Sequence, residues 1–192
     1  MKKIAIVAAT VLSLSYSSSA LAQTWSVDKA HSRFGFGVTH LSISQIDGNF
    51  KNYEATINAS KPDFSDATFE ISAEMASINT DIEQRDAHLK SPDFLDAEKY
   101  PKLTFKSTSF KKVSGKNYKL SGNLTMHGVT KPVTIDVVIN GPITHPQSQK
   151  PVAGFKFTGK IKRSEFGIAT AMPASALGED LLLIGNAEFA KN

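Results

Sequence analysis

The chain has 192 residues, no cysteine and a formal net charge of +4. Its length suits one domain, and the missing cysteines exclude disulfide staples, thiol chemistry and Cys-based zinc sites. So small and evenly spread a charge lacks the basic stripe of a nucleic-acid binder.

Residues 1–22 spell an export signal. Lys2 and Lys3 precede Ile4–Leu14, an apolar core too short to span a bilayer, and Ala20-Leu21-Ala22 supplies the small residues of a cleavage site. Cleavage there predicts a mature chain of residues 23–192, and losing two lysines lowers the net charge from +4 to +2. No second long apolar run follows, so no integral membrane span is expected.

From there period-2 alternation dominates. Arg33–His40 places Phe34, Phe36 and Val38 on one face and Gly35 and Gly37 on the other. Glycine weakens a strand unless close approach or strong coiling requires it, so this run predicts a bent strand with an aromatic face. Gly48–Ala59 is a second strand whose parity slips at Lys51-Asn52, which predicts a bulge. Phe69, Ile71, Ala73 and Met75 alternate with Glu70, Ser72 and Glu74 in a third.

Ser77–Phe105 then departs from the pattern. Thr80-Asp81-Ile82-Glu83 spells a capping box, and a helix over Asp81–Lys90 would align Ile82, Arg85, Asp86 and Leu89 on one face. Charge between two apolar anchors on the inner face needs a reason. It is either an internal Arg85–Asp86 pair that holds the helix down, or a polar lid at the mouth of a pocket.

Strands resume at Lys102–Phe110, Leu120–Met126, Val133–Ile139, Gly154–Lys162 and Asp180–Phe189. Ser114–Asn117 and His127-Gly128 supply tight turns, and Asn140–Pro151 reads as the longest loop. The sum is an all-β domain of eight antiparallel strands with one short helix. A sandwich and a closed barrel both fit single-faced alternation; only the barrel removes exposed edges. Eight strands enclose a lumen that is either filled by side chains or open to one small ligand.

No catalytic constellation is spelled out. His31, His40, His88, His127 and His145 share no metal-ligand spacing, no G-x-S-x-G occurs, and no serine stands beside a histidine with an acidic partner. Neither a metal nor a cofactor is expected. An enzyme with groups assembled across strands would leave no such local spelling.

Several blocks in order resemble the YceI-like family of exported, polyisoprenoid-binding, lipocalin-like bacterial proteins. They are Trp25-x-Val27-Asp28-x-x-His31-Ser32, Phe34-x-Phe36-x-Val38-x-His40-Leu41, Gly48-x-Phe50, Ser77-Ile78-x-Thr80 and Arg85-Asp86-x-His88-Leu89. Further along come Asp93–Asp96, Tyr100-Pro101-x-x-Thr104-Phe105-x-Ser107, Gly122-x-Leu124 through Pro132, and Arg163–Ile168. Glu165 stands where the family more often has Asp, and Ser91-Pro92 interrupts the segment after Leu89.

The resemblance implies a single eight-stranded, lipocalin-like barrel with a helix near its mouth. It implies a periplasmic or secreted protein that sequesters or carries an extended amphiphile: an isoprenoid, an isoprenoid quinone or a fatty-acid derivative. Candidate wall residues are Phe34, Phe36, Val38, Phe50, Phe69, Ile71, Phe105, Leu124, Met126, Phe155 and Phe157; candidate head-group residues are His40, Arg85, Asp86 and His88. The resemblance transfers no catalytic residue and favours a homodimer. Two other readings stay open: an envelope structural or stress protein with a filled barrel, and an enzyme acting on a lipid or quinone.

Overall fold

The computed structural model describes residues 22–192, so the export signal, except for its last residue, lies outside the described residues. The strands are β1 (Gln23–His40), β2 (Ser44–Phe50), β3 (Tyr53–Ala59), β4 (Thr68–Glu74), β5 (Ile78–Asn79), β6 (Lys102–Ser114), β7 (Asn117–Met126), β8 (Val129–Thr144), β9 (Pro151–Lys162) and β10 (Leu177–Lys191). One α-helix, α1 (Glu83–Lys90), stands between β5 and β6.

These ten segments make eight staves. β2 and β3 are two halves of one stave, parted at Lys51-Asn52 where the parity slips; a 3₁₀ turn at Met75–Ser77 likewise parts β4 from β5. Each stave pairs antiparallel with its neighbours, and β10 returns to pair with β1 from Trp25↔Lys191 to His40↔Leu177. The sheet is a closed up-and-down barrel rather than a sandwich, and has no free edge to protect. Among the described residues no helix is long and apolar enough to cross a membrane.

Several boundaries differ from the sequence expectation, each for a local reason. β1 starts ten residues before Arg33, because a register shift between Asp28 and Arg33 interrupts an alternation that is otherwise continuous. The Asn140–Pro151 loop shrinks to the turn between Thr144 and Pro151, since β8 and β9 pair across Ile143↔Val152 and Thr144↔Pro151. The two-residue turn at His127-Gly128 forms as read, with φ of 52° and 75°.

The capping box does not form. α1 begins at Glu83, its N-cap is Ile82 with no side-chain cap, and Asp81 sits at φ 64°. Ile82 points outward, about half exposed, so it does not anchor the helix.

Inward-facing side chains divide the barrel into two halves. At the end holding Gln23 and the β3–β4 loop, Phe64 folds in and is 1% exposed. Its ring packs edge-on against Trp25 (4.9 Å) and Phe155 (5.2 Å), with Phe69 and Phe189 against Phe155 in turn. The loop is held in place by Asp66, which accepts the Ser60 and Lys61 amides, and by Tyr118, whose hydroxyl donates to the Asp63 carbonyl (3.1 Å). This half is close-packed, and the other half is not.

Candidate functional site: an apolar cavity beneath a fastened cap

The opposite half holds a partly open apolar cavity of about 160 Å³. Its walls come from alternate residues of every stave: Phe34, Phe36 and Val38 from β1, Phe50 from β2, Ile71 and Ala73 from β4, Leu103 and Phe105 from β6, Leu124 and Met126 from β7, Ile135 from β8, Phe157 and Ile161 from β9, and Leu181 and Leu183 from β10. The rings brace each other, with Phe34 against Tyr53 (5.1 Å) and Phe157 (5.9 Å), and Phe36 against Phe50 (6.0 Å). Leu89 of α1, Phe94, Leu95, Ile168 and Leu177 close the top.

Nine of the eleven wall residues expected from the sequence line this cavity. Phe69 and Phe155 do not; they belong to the packed half below it. Parity along a strand tells inside from outside and carries no information about depth. The same parity on β10 could have found Leu181 and Leu183, whereas no sequence signal points to Phe94, Leu95 or Ile168.

The cap is fastened at two points. Arg163 opens a 3₁₀ turn, Arg163–Phe166, directly after β9, and is 2% exposed. Its guanidinium donates to five backbone carbonyls: Nε to Gly178 (3.2 Å), Nη1 to Ile168 (3.2 Å) and Ala169 (2.5 Å), and Nη2 to Met172 (2.7 Å) and Leu177 (3.2 Å). An arginine has five N–H donors, so none is left over. Glu179 lies 3.7 Å from Nη2, and its carboxyl is held below the ordinary carboxylate value chiefly by the hydrogen bond from the Ser164 hydroxyl, with the Ser164 amide and the Arg163 charge adding to it. Among the described residues Arg163 is the only charged one lining the cavity, and its donors bind backbone rather than face a guest.

The second fastening lies under α1. Asp86 accepts both the amide (2.8 Å) and the hydroxyl (2.5 Å) of Thr80, while Arg85 donates from Nε to the Thr80 hydroxyl and from Nη2 to the Thr80 carbonyl, both at 2.7 Å. The expected direct Arg85–Asp86 pair is thus replaced by two residues meeting through Thr80. Of the four residues assigned to a head group, Arg85 and Asp86 are committed to this clasp. His88 is exposed, 3.6 Å from Asp93 and edge-on to Phe94, and His40 is exposed at the end of β1. None of the four lines the cavity.

Asp28, His31 and Glu188 bring one ligand atom each to within 4.8 Å of one another. Asp28 is already engaged: it accepts the Ala30 amide (2.9 Å) and meets His31 Nδ1 at 2.8 Å. That arrangement locks the register shift of β1. The hydrogen bond from His31 lowers the Asp28 carboxyl, and the same bond, with the charges of Asp28 and Glu188, raises the His31 imidazole.

A YceI-like domain model matches residues 25–189, which is nearly all of the described barrel. The chain belongs to the YceI-like family. Protein YceI of Escherichia coli O157:H7 is 36% identical over 186 residues, covering 95% of this chain and 96% of that one. The crystal structure of the Campylobacter jejuni YCEI protein superposes with a TM-score of 0.72 at 36% identity, covering 80% of this chain and 89% of that one. The same fold, at 12% identity and a TM-score of 0.62, occurs in a polyisoprenoid binding domain from Saccharophagus degradans implicated in plant cell wall breakdown, with 88% of this chain and 99% of that one covered. The YceI-like blocks quoted from the sequence now have physical roles here. Asp28-x-x-His31-Ser32 is the locked register shift, Thr80 with Arg85-Asp86 is the helix clasp, and Arg163–Ile168 is the loop fastening.

Proposed function

We propose that this protein is an exported lipid-binding protein that holds the apolar tail of an extended amphiphile in its lumen. The observation that carries the reading is the apolar cavity itself, whose charged lining residue, Arg163, has every donor committed. Such a lining gives a polar substrate nothing to bind and supplies no acid, base or nucleophile, which favours binding over catalysis. A void in one half of an otherwise close-packed barrel also argues against a purely filled, structural core.

The size of the cavity sets how the guest sits. At about 160 Å³ it matches the ~150 Å³ apolar void that holds a benzene molecule and falls below the ~300–1,000 Å³ usual for ligand pockets. A long isoprenoid or quinone tail therefore enters by displacing the Leu89–Leu95 and Ile168–Leu177 segments, and its head stays outside. A tail burying on the order of 500 Å² gains about 12 kcal/mol at ~25 cal/mol/Å². Ordering and immobilisation offset roughly half of that, which leaves about 6 kcal/mol, an affinity on the order of tens of micromolar, without any polar contact. The signal-like spelling of residues 1–22 supports a periplasmic site of action.

Organic extraction of the protein purified from its native host, followed by mass spectrometry, is expected to return a lipid in stoichiometric amount. Clean extracts together with no uptake of added isoprenoid alcohol would remove the reading. The intact mass of the exported protein should correspond to a chain beginning at Gln23.

A further inference from the structure

Large apolar side chains stand in water around the cavity end of the barrel, on three separate connections. The β1–β2 turn exposes Leu41 (52%) and Ile43 (83%), the junction before α1 exposes Ile82 (51%), and the loop before β10 exposes Met172 (37%). The turn and the β10 loop form one rim, because the Leu41 amide donates to the Ala176 carbonyl (3.0 Å) and the Ser42 hydroxyl to the Ser175 carbonyl (3.4 Å). Ile82 joins the same end through β5, which pairs with β2 at Asn49↔Asn79.

The turn itself is built at a cost. Leu41 and Ser42 both lie in the left-handed region, at φ 50° and 60°, where glycine or asparagine would reverse the chain without strain. Strain and apolar exposure coincide at one tip, and packing within the barrel explains neither.

We propose that this rim docks onto the surface of a lipid bilayer, with Leu41, Ile43 and Ile82 entering the boundary between head groups and acyl chains. The occupant follows from place: the rim surrounds the segments that close the cavity, so docking sets the cavity's cap against the hydrocarbon from which a tail would come. Charges at this end are mixed and lean acidic, with Lys90, Lys99, Lys131 and Lys162 against Asp47, Asp81, Glu83, Asp93, Glu98, Glu165 and Glu179, so no basic cluster draws it to anionic lipid. Association is therefore apolar in origin and changes little with anionic lipid or salt. The purpose assigned to docking rests on the lipid-binding reading, but docking itself is measured without a guest.

The test is flotation of the purified protein with phosphatidylcholine vesicles, with and without phosphatidylglycerol. The wild type is expected to float in both. Leu41→Asp/Ile43→Asp should lower the vesicle-bound fraction about tenfold, and Ile82→Asp, on a different connection, should lower it severalfold. Val113→Asp and Ile143→Asp, at exposed apolar positions of the sealed end, should float like the wild type. Uptake of a soluble fluorescent fatty acid should be the same in the rim variants as in the wild type.

A wild type that stays unbound, rim variants that float unchanged, or sealed-end variants that lose binding equally would each overturn the proposal. So would sedimentation showing that the rim instead joins two copies of the chain, with a dimer that the rim variants abolish. Flotation without fatty-acid uptake would sink the lumen reading and leave docking standing; uptake without flotation would do the reverse.

Discussion

Arg163 directs all of its hydrogen-bonding capacity at the backbone of the loop that follows it and the first two residues of β10. Removing it leaves five carbonyls to find other partners and opens a void beneath them. Arg163→Ala is expected to lower stability by about 3–5 kcal/mol in urea titration. Arg163→Lys should recover only part of this, because an ammonium has three donors and no fork. If the lysine variant melts with the wild type, the guanidinium geometry is not what holds the loop. His31 offers a titration on the outer surface. Its imidazole is raised by the hydrogen bond to Asp28, then by the charges of Asp28 and Glu188. A raised imidazole stabilises the fold below its ordinary value and loses that effect as pH climbs through the shifted one; a lowered carboxyl does the opposite as pH falls. The pair therefore contributes most between about pH 4 and pH 6.5, and only slightly, since His31 is exposed. Asp28→Asn should bring the His31 resonance, followed by NMR, back toward the ordinary histidine midpoint. An unmoved midpoint would mean that the two side chains do not meet in solution.

At the scale of elements, α1 is too short to stand alone and too polar on its inner face to be held by burial. The Thr80 clasp holds it, and the clasp is also why Arg85 and Asp86 face inward. Thr80→Val keeps the shape of the side chain but leaves Asp86 one donor short and Arg85 one acceptor short. The expected cost is about 1–3 kcal/mol. The distribution of that loss matters more: amide exchange should quicken over residues 83–90 while β7 to β9 stay protected. Uniform quickening would mean that the clasp belongs to the global fold rather than to the cap. β1 shows a different constraint. A methyl group at Gly35 would run into the Gly48 carbonyl oxygen of β2, so the glycine permits the close approach that coils the two strands together. Gly35→Ala should separate β1 from β2 and destabilise by about 1–3 kcal/mol, read from the thermal midpoint.

For the molecule as a whole, the packed and hollow halves predict opposite responses to volume. Phe155→Ala, in the packed half, should cost about 3–5 kcal/mol. Leu183→Phe, projecting into the void, should stabilise by about 0.5–2 kcal/mol and reduce fatty-acid uptake. Destabilisation by Leu183→Phe would show that the void closes in solution. The strands and most of the wall were legible because each rests on the side-chain period along one strand, a local property; closure into a barrel rested on the need to remove edges and on the resemblance. What was not legible depends on distant parts of the chain. Phe69 and Phe155 point inward as Phe105 and Phe157 do and differ only in depth: Phe155 packs on Phe64, which arrives from a loop, and Phe69 packs on Phe155. Arg163 has no local spelling because its acceptors lie five to fifteen residues onward. The Thr80-x-x-Glu83 box misled because Asp86 competes for the same threonine and offers a charged, buried acceptor.

Phe64 and the rings packed on it stopper one end of the barrel. A barrel stoppered at one end is a blind well: whatever goes in comes out by the same door, and nothing can be pushed through from behind. Exchange of one guest for another must then be sequential, with the well empty between occupants, and the floor beneath Phe157, where the packed half begins, acts as a ruler. Tails shorter than the well are held throughout their length, whereas longer tails are gripped only at the tip. Off-rates measured across a series of chain lengths should fall with each added carbon and then level off, and the length at the break gives the depth of the well.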